Sequence, residues 1–92
     1  MEFVPLKFQQ QKYIQMKQII KKTLSESFND CSIEVEGSDA KYNVKIITDD
    51  FKNKNTIERH KMVYALLNKF IASGEIHALT IKSLTINENE EL

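Results

Sequence analysis

The apolar residues of this chain change spacing three times, and each change marks a different structural element. Met16, Ile20, Leu24 and Phe28 recur every fourth residue with Tyr13 on the same side, which predicts an amphipathic helix over about Gln9 to Phe28. Ser32 to Glu36 then alternates, with Ile33 and Val35 on one face and Glu34 and Glu36 on the other. Lys41 to Thr48 alternates again through Tyr42, Val44 and Ile46, so the turn signal at Gly37 to Ala40 closes a hairpin. Helical spacing returns with Ile57, Val63, Tyr64, Leu66, Leu67, Phe70 and Ile71, and His77 to Leu84 reverts to a strand pattern.

The boundaries of the second helix are written in the sequence. Asn55 is placed to cap it, with Glu58 at the third helical position. Ser73-Gly74 is a left-handed stop. Before it, Asp49 to Asn55 reads as a polar, partly helical connection pinned by Phe51. The order is helix, strand, strand, helix, helix, strand, an α+β fold. A helical crossover joins the second strand to the third, which favours a parallel pair with a right-handed connection. A three-stranded mixed sheet in order 1-2-3 follows, with helices on one face. The other face, bearing Glu34, Glu36, Asn43, Lys45, Thr80 and Lys82, should be wet. Residues 1–8 and the acidic tail at 86–92 are expected to be flexible or frayed.

Ninety-two residues make room for one domain and one core. Thirteen basic residues balance thirteen acidic ones, which argues against a dedicated nonspecific nucleic-acid binder. Cys31 is alone, so no internal disulfide framework exists and a reducing compartment is expected. No apolar run approaches the roughly 18 residues of a membrane span. The first ten residues lack the apolar stretch of a secretory signal. A cytoplasmic, monomeric chain without membrane contact is the expectation.

Two histidines carry the only imidazoles, His60 in the second helix and His77 at the start of the third strand. The topology puts His77 beside the 37–41 loop. Cys31 lies at the opposite end of the first strand, and five strand residues span about 17 Å, so the two should not share a metal. His60, near the start of the second helix, should also be distant from His77. It and Cys31 read as structural. No Cys-x-x-Cys, phosphate-binding glycine loop or activated nucleophile is present, and Asp49 and Asp50 read as a solvated turn and helix-start feature rather than an acid/base pair. A non-enzymatic protein is expected.

Phe51, Arg59-His60-x-x-Val63-Tyr64, Leu67, Ile76-His77-Ala78-Leu79 and Ser83-Leu84-Thr85 together resemble the BolA-like family, over roughly Ile19 to Thr85. The resemblance implies a fold similar to the class II K-homology domain. It also implies a monothiol glutaredoxin as partner, with a [2Fe–2S] cluster shared between the two proteins and glutathione. In that arrangement His77 is the metal-ligand candidate, together with a histidine or cysteine of the hairpin loop. No cofactor is expected for the isolated chain.

This sequence departs from the family pattern at two places. The aligned loop position holds Lys41, whose ammonium cannot ligate iron, and Asp39 is the only loop side chain with ligand capacity. After the third strand, Ile86 and Asn89 stand where relatives have proline and tryptophan. The K-homology likeness also raises an alternative, a nucleic-acid-binding transcriptional regulator, with Lys52, Lys54 and Arg59 as phosphate contacts. The stretch from Asp50 to Asn55 lacks the Gly-x-x-Gly clamp of such domains, so only weak, salt-sensitive association is expected.

Overall fold

Alternation in the strands and a capped helix between them produce the arrangement the spacing implies. The computed structural model describes residues 5–91, with side chains from Met16 to Glu91. The chain runs α1 (Pro5–Ser27), β1 (Ser32–Ser38), β2 (Lys41–Ile47), a 3-10 turn (Asp49–Phe51), α2 (Thr56–Ala72), β3 (Ala78–Leu84) and α3 (Ile86–Glu90). The sheet order is β1-β2-β3. β1 pairs antiparallel with β2, with Ser38 opposite Lys41, and β2 pairs parallel with β3, with Lys41 opposite Ala78.

Ile33, Val44 and Ile46 are buried against Met16, Ile20 and Leu24 of α1 and Val63 and Leu67 of α2, while Val35, Leu79 and Ile81 pack partly buried at the margin. The opposite sheet face is exposed at Glu34, Glu36, Asn43, Thr80 and Lys82, and half-buried at Lys45 in the central strand.

Local chemistry fixes the ends of α2. The Asn55 side chain accepts from the Glu58 N–H, and the Glu58 carboxylate accepts from the Asn55 N–H, both at 2.8 Å. At the other end Gly74 takes a φ of 86° and the chain turns back into β3.

The hairpin turn is less comfortable. Asp39 and Ala40 have φ of 56° and 66°, so both central residues of this two-residue loop are left-handed. Glycine relieves such a position, and Ala40→Gly is expected to raise unfolding stability by about 1 kcal/mol, measured by urea denaturation.

Several expectations need correction. α1 begins at Pro5 rather than Gln9, since proline fits the first helical turn. Residues 1–4, and the side chain of Tyr13, lie outside the described residues. β1 extends to Ser38, and β3 starts at Ala78, after His77. Ile57 and Tyr64 are 67% and 42% exposed and do not belong to the buried face of α2. That face follows Arg59, Val63, Leu67 and Phe70, and Ile57 sits in the first turn, on the side away from it.

The acidic tail is not frayed, because it forms α3. Thr85 caps it, with Thr85 accepting from the Glu88 N–H and Glu88 accepting from the Thr85 N–H. Asp49 Oδ1 takes the Ile86 N–H at 3.1 Å, and Arg59 holds Glu88 through two hydrogen bonds of 2.7 and 3.1 Å. The hydrogen bonds from Arg59, followed by that from the Thr85 N–H, lower the Glu88 pKa from 4.5 to about 2. A depressed carboxyl contributes stability that is present above its unfolded value and lost as pH falls through its folded one. The stability difference between wild type and Glu88→Gln should therefore be full above pH 4.5, shrink below it and vanish near pH 2. Urea unfolding of both proteins across that range measures it.

Candidate ligand site at the hairpin end of the sheet

Parallel pairing of β2 with β3 brings the start of β3 to the hairpin turn. The Ala40 carbonyl accepts from the N–H groups of both His77 and Ala78, at 2.6 and 3.1 Å. His77 is thereby clamped to the loop by its backbone while its side chain stays exposed. Among the described residues its imidazole takes no hydrogen bond. The ring lies beside Gly74, where a Cβ would stand in ordinary contact, 3.6 Å from His77 Nε2. The preceding corner is tied off separately by Ser73, whose hydroxyl donates to Glu75 Oε1 at 2.7 Å. An exposed imidazole with no hydrogen-bond partner among the described residues, on a fixed backbone, is the one side chain here with the chemistry of a nitrogen ligand.

The rest of the loop offers less. Lys41 sits opposite Ala78, so its side chain belongs to the open sheet face, one residue out of phase with His77. Asp39 is exposed at the turn. No group of three or more histidine, cysteine, aspartate or glutamate side chains capable of holding a metal occurs among the described residues.

Cys31 lies at the other end of the sheet, next to Ser32, which pairs with Ile47. Its thiol is half-buried and points at the Phe28 carbonyl, 3.5 Å away. His60 is half-buried in the first turns of α2, which runs about 25 Å toward the His77 end. Neither comes together with His77.

The alternative phosphate-binding set is largely spoken for. Arg59 is 11% exposed at its side chain. Its guanidinium donates to the Lys54 carbonyl, the Ser83 carbonyl and both Glu88 oxygens, and lies 5.6 Å over the Phe51 ring. That occupies four of the five donors a guanidinium has. The expectation that Arg59 offers itself to nucleic acid is thus corrected: it joins α2, β3 and α3. Lys52 is exposed and pairs with Asp49 at 3.6 Å, and Lys54 is half-buried. Asp49 and Asp50 open the 3-10 turn, as expected of a helix start, and Asp50 also accepts the Asn29 N–H at 2.9 Å. Sequence reasoning missed this junction, although Thr85-x-x-Glu88 is a capping box and signals a helix start.

Comparison with known proteins agrees with the fold. The family model described as BolA-like protein matches residues 31–88. A protein from the rpoN–murA intergenic region of Acinetobacter guillouiae is 40% identical over 65 residues, covering 71% of this chain and 78% of that protein. The DNA-binding transcriptional regulator BolA of Haemophilus influenzae is 29% identical over 83 residues, covering 79% and 80% of the two chains. Among solved structures, BolA1 from Arabidopsis thaliana superposes with a TM-score of 0.72 at 28% identity, covering 78% of this chain and 93% of that one.

Proposed function

The chain belongs to the BolA-like family, and on that premise we propose that it works without catalysis of its own, as the partner of a monothiol glutaredoxin in iron–sulfur trafficking or iron regulation. The observation that carries this reading is His77, exposed at the sheet end and held by the Ala40 carbonyl. One nitrogen donor at that place would supply one of the two terminal ligands needed by the iron that glutaredoxin and glutathione do not hold. A second donor from this chain does not fit as well. Lys41 has no lone pair when charged, and the Asp39 carboxylate is a harder ligand than such clusters prefer. A bound cluster would supply redox and transfer chemistry. This chain's own part is to present one imidazole and the surface around it.

The test is titration of the purified chain with cluster-loaded monothiol glutaredoxin, followed by visible absorbance and circular dichroism. Wild type should change the cluster spectrum. His77→Ala should lose that change while keeping the fold, since exposed substitutions of this kind stay within about 0.5 kcal/mol. An unchanged spectrum in His77→Ala removes His77 as a ligand.

The regulator reading, suggested by the name of the Haemophilus relative, has less support in this chain. Arg59 is engaged internally, Lys52 pairs with Asp49, and the charge balance is zero. Nanomolar sequence-specific binding at physiological salt would reverse that ranking.

A further inference from the structure

The outer side of β1 is the feature that neither the core nor the His77 site uses. β1 pairs with β2 alone. In a two-residue hairpin the closing residues, here Ser38 and Lys41, exchange backbone hydrogen bonds. The alternation then turns the N–H and C=O groups of Ile33, Val35 and Gly37 outward. Among the described residues no turn, loop or cap bond reaches those groups. A groove of about 330 Å³ runs beside them, floored by Ile33 and Val35 and walled by Lys17, Gln18 and Lys21 of α1. Glu34 and Glu36 line its other side, toward the open sheet face.

We propose that this edge docks an extended segment of a partner protein, with basic side chains facing Glu34 and Glu36 and acidic or apolar side chains facing Lys17 and Lys21. Side chains of an added strand alternate between the two faces. Those on the helix side enter the groove over Ile33 and Val35 and meet the two lysines, which stand one helical turn apart. Those on the open side lie across from the two glutamates. Charge also excludes the simplest competitor. A second copy adding its own β1 would set Glu34 and Glu36 against the same residues on one face, and like charges across strands repel. The glutamates therefore guard the edge against self-association while leaving it open to a strand of complementary pattern. This proposal is independent of the His77 reading and concerns the opposite margin of the sheet from β3.

The test uses the isotope-labelled full-length chain and a blocked peptide, Lys-Glu-Thr-Val-Lys-Glu-Thr, whose lysines and glutamates fall on opposite faces. A control peptide has both lysines changed to glutamate. The first peptide should shift the amides of Ile33, Val35 and Gly37 and slow their hydrogen exchange. Glu34→Lys with Glu36→Lys should weaken its binding roughly tenfold and transfer the preference to the control peptide. Val35→Pro should abolish binding with the fold retained, because the Val35 N–H lies outside the ladder with β2. Absent edge shifts, equal response to the two peptides, or the same shifts arising on concentration without peptide would each overturn the proposal.

Discussion

Replacing Phe51 with alanine is expected to cost about 3–5 kcal/mol. A domain of this size is stable by only about 5–15 kcal/mol, so the variant should sit close to unfolding. Phe51 is fully buried at the end of the 3-10 turn. Its ring meets Phe28 edge-on, with centroids 5.2 Å apart, and carries the Arg59 guanidinium on one side. Alanine would leave a cavity where the end of α1, the 3-10 turn and the start of α2 meet. It would also take a contact from Arg59, which anchors α3 through Glu88. Urea unfolding followed by far-ultraviolet circular dichroism measures the loss. A loss under about 1.5 kcal/mol would mean that α1 closes over the gap.

That junction also shows what the sequence could and could not convey. The lone aromatic at Phe51 between polar residues was legible as a pin, and the alternation of β1, β2 and β3 gave their faces correctly. Those features depend on local spacing. The place of His77 was legible for a related reason: one helical crossover determines strand direction, which determines the end of the sheet where β3 begins. Arg59 was not legible. Nothing near it in sequence says that Glu88, 29 residues away, will take its charge. Ile57 and Tyr64 failed for a different reason, since helical periodicity finds an apolar arc but not how much of it the sheet covers. The phase of Lys41 against His77 likewise needed the ladder pairing and could not be read from the loop alone.

The ladder changes how the missing loop ligand should be restored. A histidine at Lys41, the aligned position, must reach around the end of the sheet, because Lys41 pairs with Ala78 on the open face. Ala40 stands beside His77 itself, and its carbonyl already holds the His77 N–H. Histidine tolerates the left-handed backbone there better than most side chains, so the turn should keep its shape. On the proposal that His77 ligates a shared cluster, Ala40→His should lengthen the lifetime of the glutaredoxin-bridged species roughly tenfold, a scale on which even outer ligand partners act. Lys41→His should give a smaller gain. Both should shift the visible absorption, since a nitrogen donor would replace solvent or carboxylate at one iron. The decay of the visible spectrum in the complex, with His77→Ala as reference, separates the cases. A larger gain from Lys41→His would place the cluster on the open face of the sheet. A long-lived wild-type cluster that neither histidine improves would point to Asp39 as the second ligand, and Asp39→Ala should then shorten its lifetime.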